Sequence, residues 1–587
     1  MTQPILDPRA GDIEDDASST KRRSLLSLAG TLLGEISLPK LAIAWMMLIG
    51  FPALMLGAAP LLVSLWIAAV SSRAAAIFSE VAAGLVLLAL AALGWYAWRP
   101  LLRLAERSFW SLNALAVQPA YIAFREGFRH LAERLLASSM TEDRRAFLRA
   151  ASAAASGLVI CGIGVGLILL VWPATRWVGT LRDIASPIRL IPVVAANSVE
   201  LVCFYFALAA LVWGWADAAM AQPRDFRGFA TAPASGRRWR VAHLSDIHTV
   251  GERYGFRVES GRSGPRGNER LSHVLRRLDE VHAADPLDVV LISGDLTDAG
   301  RSAEWAEFFA ALAPFPELAE LVVALPGNHD VNVVDRASPA RLELPTSPMK
   351  RLRQLRTLSA LAALHGARLR TVESTTGRLG ASLADALAPH AADMVGFADN
   401  GSARRSHALA RLWDTSFPLV RPPDTEDGLG IVVLNSNAET HFSFTNALGL
   451  VSAEQVRGLD IATRQYPRAC WIVALHHHVI EYPRPAKALS ERIGTALING
   501  SWFVRRLRRL AGRVVLMHGH RHVDWIGKCA GVLIVSAPSP VMGATDCMET
   551  YFYVHTLTVA ANGRLDLLAP ERVTVPGQAS AENATAT

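Results

Sequence analysis

The pattern of hydrophobic and polar positions divides the chain at about residue 220. Long apolar runs dominate before that point, whereas short apolar runs alternate with amphipathic stretches after it. A membrane-spanning helix needs roughly 20 predominantly apolar residues, because its backbone polar groups must be satisfied within the segment itself. Four runs meet this requirement, at residues 41–70, 74–98, 153–172 and 190–216. The sequence therefore predicts an N-terminal all-α transmembrane domain over residues 39–220, with about four spans.

The first apolar run contains Pro52 and Pro60 and is long for a single span. This favours either one tilted or kinked helix or two shorter pieces. The segment before it, residues 1–38, begins with acidic and polar residues. We expect this segment to be a disordered cytoplasmic head without a cleavable signal peptide.

Arginine is distributed unevenly around the apolar runs, and this distribution predicts the orientation. The loop between the second and third predicted spans holds nine arginines, and Arg224, Arg227 and Arg237 follow the last span. Because basic residues stay on the cytoplasmic side of a membrane, we expect a multi-pass protein of the cell membrane whose C-terminal half is cytoplasmic. The alternative is that Arg144 and Arg145 act as an internal export signal, which would place that half outside.

Seven short apolar runs in the second half have the length and spacing of β-strands. They lie at residues 240–244, 288–292, 321–325, 431–434, 471–475, 514–517 and 532–535. Apolar residues recur at helical spacing between the first and second runs, after the candidate N-cap Asn268, and again between the second and third. Strands that alternate with amphipathic helices are typical of an α/β fold.

Polar residues follow five of these runs at the point where each predicted strand ends. The five polar segments lie at residues 245–248, 294–298, 327–330, 476–478 and 518–522. Ligands of open α/β sheets bind beyond the carboxyl ends of the strands, so these segments are expected to converge on one edge. Their Asp, Asn and His side chains are typical ligands of divalent metal ions.

In chain order the five segments contain D-x-H, G-D, G-N-H-D, H and G-H-x-H. These blocks resemble the calcineurin-like metallophosphoesterase superfamily, and the resemblance covers roughly residues 240–573. It implies an αββα sandwich over residues 236–575 and an enzyme that hydrolyses a phosphate ester with a metal-activated hydroxide. The helix after the first strand, together with residues 294–300 and 534–540, is similar to the branch that contains class III cyclic-nucleotide phosphodiesterases.

The resemblance also implies a role for individual side chains. Seven would bind two divalent metal ions: Asp246, His248, Asp295, Asn328, His476, His520 and His522. Asp295 would bridge the ions, with Asp246, His248 and His522 on one of them and Asn328, His476 and His520 on the other. Oxygen and imidazole donors without thiolates suit Mn, Fe, Zn, Co or Ni and do not choose among them. His329 would protonate the leaving alkoxide, and Asp330 would orient its imidazole.

Two positions leave alternatives open. Val479 follows the run of three histidines where relatives have proline, so the ligand could be His476, His477 or His478. We choose His476 because it comes first after the strand, with His477 in reserve. For Asp298, an acid near a helix N-terminus that only favours the macrodipole is the preferred interpretation.

The remaining features limit the partners and the architecture. Residues 331–430 form an insertion that reads as helical and either covers the site or pads the sheet, and residues 576–587 read as a disordered tail. The net charge of +7 comes mainly from arginine next to apolar runs, so we expect a lipid bilayer rather than a nucleic-acid polymer as partner. The five cysteines form no C-x-x-C pair, which argues against a structural zinc site.

The sequence thus predicts a membrane-anchored phosphoesterase that acts on a phosphodiester or a phosphomonoester. A cyclic nucleotide and a nucleotide-linked lipid precursor are competing substrates. The alternative function is a membrane sensor or transport component whose phosphoesterase domain only binds a ligand. Intact metal-binding positions favour the enzyme over this alternative.

Overall fold

The computed structural model divides the chain into two compact units, which are described separately. One unit is Ile36–Met220, and the other contains Ala221–Thr587. The structure describes residues 46, 50–77, 92, 118–135, 141–180, 187–231, 237–251, 257, 267–335, 341–343, 347–400, 403–483, 497–543, 548–560 and 562–577. The predicted head at 1–38 lies outside these residues, as does the predicted tail except for residues 576 and 577.

The described residues of the first unit are mainly helical. The helices are α1 (Phe51–Ile77), α2 (Gln118–Leu135), α3 (Glu142–Val171) and α4 (Leu190–Ala218), with 3-10 turns at Trp172–Ala174 and Pro187–Arg189. Among the residues that the structure describes, two segments are long and apolar enough to cross a membrane, Asp143–Ala174 and Leu190–Ala218, with mean hydropathies of 2.5 and 1.8. They correspond to the third and fourth predicted spans.

The structure does not support the first two predicted spans in the same way as the third and fourth. α1 continues through Pro60 without a break, and its apolar stretch Ala53–Leu65 is shorter than a span. The run at 74–98 falls outside the described residues except for 74–77 and 92. Two spans are therefore supported by length and composition, and the count of four stays a prediction.

Small residues bring α3 and α4 into close contact. A Cβ added to Gly157 would lie 2.7 Å from the carbonyl oxygen of Ala210, and one added to Gly214 would lie 2.9 Å from that of Ala153. Gly164 is similarly close to Cys203, at 3.0 Å. Close approach through small residues is how helices associate in a bilayer, where no hydrophobic force drives them together.

Replacing Gly157 by leucine is expected to destabilise this helix pair. The new side chain would overlap the backbone of α4, and overpacking of this kind costs about 1–3 kcal/mol. Thermal unfolding of the detergent-purified chain measures the effect. Gly162→Leu is the matched control on the same helix, because a Cβ there has no neighbour within 4 Å. Equal melting temperatures for the two variants would contradict the expectation.

The second unit is a mixed α/β structure. Its strands are β1 (Arg224–Asp225), β2 (Arg238–Leu244), β3 (Val289–Ile292), β4 (Val322–Ala324), β5 (Arg370–Glu373), β6 (Arg378–Ser382), β7 (Leu419–Arg421), β8 (Leu429–Val433), β9 (Cys470–Ala474), β10 (Val514–His518), β11 (Trp525–Cys529), β12 (Val532–Ser536), β13 (Thr550–Val559), β14 (Leu565–Leu567) and β15 (Glu571–Val575). Its helices are α5 (Glu269–Ala284), α6 (Ser302–Leu312), α7 (Pro316–Leu321), α8 (Asn328–Val331), α9 (Pro348–His365), α10 (Leu383–Leu387), α11 (Ala391–Asn400), α12 (Ala403–Ala408), α13 (Ala410–Ser416), α14 (Ala453–Gln465) and α15 (Gly500–Leu507).

The strands form two sheets that contribute to one hydrophobic core. The larger sheet has the order β1-β11-β12-β10-β9-β8-β7-β5-β6, and the smaller has the order β14-β13-β2-β3-β4 with β15 beside β13. Strands β2, β3 and β4 are parallel, and so are β8, β9, β10 and β12. Every residue of β3, β8, β9, β10 and β12 is buried, which explains why these strands read as continuous apolar runs.

The predicted α/β class and all seven predicted strands are confirmed, as are the helices now labelled α5 and α6. The role expected of Asn268 is wrong, because its side chain makes no cap hydrogen bond. Instead it pairs with Val250, accepting from the backbone N–H at 2.9 Å and donating to the carbonyl oxygen at 2.7 Å.

The insertion at 331–430 is not purely helical. It contains α9 and several shorter helices, but also β5, β6 and β7, which extend the larger sheet. Leu355, Leu358 and Leu361 of α9 belong to the hydrophobic core. The helical expectation failed because β5 and β6 are half-exposed strands that carry arginine and glutamate and produce no apolar run.

Candidate metal centre

The five polar segments meet at the carboxyl ends of the parallel strands. The loops after β2 and β3 remain hydrogen-bonded to each other, since Asp246 N donates to Gly294 O at 3.0 Å and His248 N donates to Asp295 O at 2.9 Å. Backbone pairing thus holds the first two segments in register beyond the end of the sheet.

The backbone of these segments is strained. Six non-glycine residues in the described part of the chain have positive φ, and five of them are predicted metal ligands: Asp246, His248, Asp295, His520 and His522. The left-handed region costs an ordinary residue of order 1–3 kcal/mol, and such residues concentrate at functional sites. The fold therefore supports an energetically unfavourable conformation at these five positions.

Three of the predicted ligands form a first group. The donor atoms of Asp246, His248 and His522 all lie within 4.8 Å of one another. His522 Nε2 is 3.3 Å from Asp246 Oδ1, and Asp246 is completely buried. This is the set that the sequence assigned to one metal ion.

A second group contains the other predicted ligands. Asp295, His476 and His520 also have donor atoms within 4.8 Å of one another. His476 Nε2 lies 3.0 Å from Asn328 Oδ1 and 3.1 Å from His520 Nδ1. The amide of Asn328 therefore joins this group through His476.

Asp295 lies between the two groups. Its Oδ2 atom is 3.2 Å from His476 Nε2 in the second group and 3.7 Å from His248 Nε2 in the first. The other oxygen, Oδ1, accepts a hydrogen bond of 2.8 Å from the backbone N–H of His329. One carboxylate oxygen thus faces both groups, while the second is held by the chain.

The run of three histidines separates into different environments. His476 faces Asp295, whereas His477 Nδ1 lies 2.9 Å from Ser436 Oγ and His478 Nε2 lies 3.3 Å from Glu481. The structure thus brings His476, the residue chosen from the sequence, to the metal-binding groups.

Neighbouring histidines keep the carboxylates of the site anionic. Burial alone would raise the pKa of Asp295, but His476 and His329 outweigh it and hold the pKa well below the usual range. For His476, burial alone would lower the pKa, but the carboxylate of Asp295 raises it to about 9. The pKa of Asp246 is lowered, because His522 offsets the effect of burial. The site thus places anionic carboxylates where positive charge stabilises them.

The donor set fits divalent transition metals. It combines carboxylate, amide and imidazole atoms without thiolates. His520 Nε2 is buried and makes no hydrogen bond, although a buried ring nitrogen ordinarily has a partner. A metal ion in the second group would provide that partner.

Polar groups on the far side of two candidate ligand histidines orient their rings. His476 Nδ1 pairs with the carbonyl oxygen of Ser293 at 2.8 Å, and His248 Nδ1 lies 3.2 Å from Asp298 Oδ1. A carboxylate or carbonyl behind a metal-binding imidazole fixes its tautomer and increases its basicity. Asp298 is thus a functional candidate rather than only a helix N-terminal acid. The one signal in the sequence was its position three residues after Asp295.

The loss of this partner should weaken metal binding. We expect Asp298→Asn to lower metal affinity by about 10–100-fold, because His248 would lose the charged group behind it. Titration of the metal-stripped chain with Mn²⁺ measures the change. Glu317→Gln is the control, since Glu317 is an exposed carboxylate on α7. Unchanged affinity in Asp298→Asn would show that its contact with His248 is only structural.

His329 lies beside the two groups. It is buried next to His248, with 4.5 Å between the ring centroids, and its Nδ1 is 2.7 Å from the carbonyl oxygen of Asp298. His248, Asp298 and His329 form a third group whose donor atoms lie within 4.8 Å of one another. Because His248 Nδ1 in this group faces a carboxylate, we interpret the contact as orientation of the ring rather than as a further metal site.

Asp330 was expected to orient the imidazole of His329, and that role stays a prediction. Its carboxylate accepts hydrogen bonds from the backbone N–H groups of Gly327 and Thr297 and from the hydroxyl of Thr297, at 2.8, 2.9 and 2.6 Å. The partner of His329 Nδ1 is instead the Asp298 carbonyl. Asp330 therefore fixes the loop that carries Asn328 and His329, because its carboxylate oxygens are hydrogen-bonded to the backbone on both sides.

A glycine is required where this loop passes Asp295. A Cβ at Gly327 would overlap the side chain and the backbone N of Asp295. Any larger residue would displace the carboxylate that faces both groups.

Comparison with known proteins finds a match to a family model. Residues 240–380 match the family model described as Calcineurin-like phosphoesterase. No curated protein matches the chain. Solved structures are similar at 11% identity over 59% of this chain: a dimetal phosphatase from Danio rerio (100% of that chain, TM-score 0.34) and a putative 5'-nucleotidase from Staphylococcus aureus (55%, TM-score 0.30). A hypothetical protein from Pyrococcus horikoshii has the same identity and coverage of this chain, over 91% of its own length, with a TM-score of 0.24.

Proposed function

We propose, on the premise that the match over residues 240–380 marks a calcineurin-like metallophosphoesterase domain, that the protein is a membrane-anchored phosphoesterase with a binuclear metal centre. Asp246, His248 and His522 would hold the first ion, and Asn328, His476 and His520 would hold the second. Asp295 would serve both ions, because it faces both groups. The position of Asp295 Oδ2, 3.2 Å from His476 and 3.7 Å from His248, carries this proposal.

When bound, two divalent ions would activate water as the nucleophile and neutralise charge on the phosphoryl oxygens in the transition state. The protein supplies the geometry. Asp295 holds the two groups together, and Asp298 and the Ser293 carbonyl orient the ligand histidines.

His329 acts as the general acid in this proposal. The carbonyl of Asp298 accepts a hydrogen bond from Nδ1, which leaves Nε2 as the second ring nitrogen to hold or release a proton. Protonation of the leaving alkoxide by Nε2 would avoid the release of a strongly basic anion. General-acid assistance of this kind contributes about 10²–10⁴-fold in rate.

We further propose a preference for phosphodiesters, on the similarity of residues 294–300 and 534–540 to class III cyclic-nucleotide phosphodiesterases. The test uses the full chain in detergent, loaded with Mn²⁺, and compares bis(p-nitrophenyl) phosphate with p-nitrophenyl phosphate. Faster turnover of the diester is expected. Faster turnover of the monoester would reject the phosphodiester preference but would still support phosphoesterase activity. Bound metal without turnover of either substrate would favour the ligand-binding sensor or transport component.

Membrane anchoring by α3 and α4 belongs to the same proposal, with the catalytic domain on the cytoplasmic side. The hydropathy of the two helices and their small-residue contacts support anchoring, and the arginines beside them support the orientation. Reporter fusions at the C-terminus test the topology. Activity of a cytoplasmic reporter is expected, whereas activity of an export-dependent reporter would reverse the orientation.

A further inference from the structure

Helix α2 of the first unit, Ile36–Met220, buries a polar face. Tyr121 donates a hydrogen bond of 3.0 Å to Asp217 at the end of α4, and Arg125 pairs with the same carboxylate at 2.8 Å. Glu126 and Arg129 are only 1% and 3% exposed. The charged side chains of this face, which would normally be exposed to water, are therefore buried.

The outward surface of the same helix carries an apolar stripe. Phe124, Phe128, Leu131 and Leu135 follow one another at intervals of three or four residues, which places them on one side of a helix. Leu131 and Leu135 are 53% and 72% exposed, and the rings of Phe124 and Phe128 are 6.1 Å apart. An amphipathic helix of a soluble domain has the opposite arrangement, with its apolar stripe towards the core.

The contacts of α2 place it at one end of the helix pair α3 and α4. Asp217, its partner, lies in the last turns of α4, and the Gly157 and Gly214 contacts put the first half of α3 at that same end. Other large apolar side chains are exposed there, including Phe147 and Trp215, at 71% and 70%. Exposed apolar side chains of α2, α3 and α4 thus lie at the same end of the two candidate spans.

A third, narrower surface of α2 is polar and basic. His130 and Arg134 are exposed and one helical turn apart, between the apolar stripe and the buried face. Arg144, at the start of α3, is also exposed. Positive charge beside an apolar stripe complements anionic phospholipid headgroups above an acyl region.

We propose that α2 lies in the interfacial plane of a phospholipid bilayer. Its apolar stripe enters the acyl boundary, and His130 and Arg134 face the headgroups. The contacts of Tyr121 and Arg125 with Asp217 connect the helix to the end of α4. This surface is distinct from the spans, because α2 lies on the bilayer rather than across it. The inference rests on the proposed anchoring by α3 and α4.

The test places spin labels on single introduced cysteines in the full chain, reconstituted into nanodiscs that contain anionic phospholipid. Leu131→Cys reports the stripe, His130→Cys reports the polar surface of the same helix, and Ile163→Cys reports α3, where Ile163 is 52% exposed. The unmodified chain gives the background from its five native cysteines. Collision with oxygen, which concentrates in lipid, is compared with collision with a water-soluble nickel complex.

We expect a label at position 131 to have a several-fold higher ratio of oxygen to nickel accessibility than a label at 130. A label at 131 that is freely accessible to nickel would place the stripe in water, and one protected from both reagents would show that protein covers it; either result overturns the inference. The label at 163 separates the two proposals. If it is accessible to nickel, the anchoring itself fails, whereas a lipid-exposed label at 163 with a water-exposed label at 131 rejects only the position of α2.

Discussion

Asp295→Ala is expected to lose bound metal and phosphoesterase activity together. In the wild-type chain Asp295 Oδ2 lies 3.2 Å from His476 and 3.7 Å from His248, so one oxygen serves both groups. Without this carboxylate the two ions would repel each other across a buried, low-dielectric site. The loss of affinity should exceed the ~10–100-fold expected from removing a partner behind a ligand. Metal content per chain and turnover of bis(p-nitrophenyl) phosphate measure the two effects.

Asp295→Asn separates the charge of this side chain from its structural role. Asp295 Oδ1 accepts a hydrogen bond from the backbone N–H of His329, and an amide oxygen can still accept it. The asparagine variant should therefore keep the melting temperature of the metal-free chain while it binds metal poorly. Wild-type metal content and turnover in both variants would reject the binuclear centre. A collapse of stability in the alanine variant alone would still leave the asparagine variant as a decisive measurement.

The sequence predicted the central strands well because those strands are buried. Strands such as β8, β9 and β10 are buried at every position, which excludes polar residues and produces recognisable apolar runs. The strands that were missed pair at or near the sheet edges or expose one side. β13 alternates buried and half-exposed residues, and its antiparallel pairing with β2 joins segments about three hundred residues apart. No local pattern specifies such a pairing.

The convergence of the predicted metal ligands could also be inferred from the sequence, because each follows a strand directly and parallel strands place their ends together. The groups that orient the candidate ligand side chains could not be predicted from the sequence. The role of Asp298 depends on a contact of 3.2 Å with His248, and an acid at the same position in the sequence would equally suit a helix N-terminus. For Asp330, adjacency to His329 in the chain suggested contact, whereas its carboxylate accepts hydrogen bonds from Gly327 in its own loop and from Thr297 in another loop.

His329→Ala is expected to keep bound metal but to lower kcat by about 10²–10⁴-fold, the usual contribution of a general acid. The reduction should depend on the leaving group. An alkyl phosphodiester releases a strongly basic alkoxide that needs a proton, whereas p-nitrophenolate is a weak base and leaves with little help. We therefore expect a much larger rate loss for an alkyl diester than for bis(p-nitrophenyl) phosphate.

The matched comparison is Asp298→Asn, which changes the partner of His248 while leaving the His329 ring in place. It should weaken metal binding and reduce turnover of both substrates by the same factor once metal is saturating. Loss of metal in His329→Ala would instead make His329 a ligand, as its proximity to His248 and Asp298 permits. An equal rate loss for both leaving groups, with metal retained, would assign His329 to positioning rather than to proton transfer. The dependence on the leaving group is therefore the measurement that distinguishes the two roles, because geometry alone places His329 close enough for either.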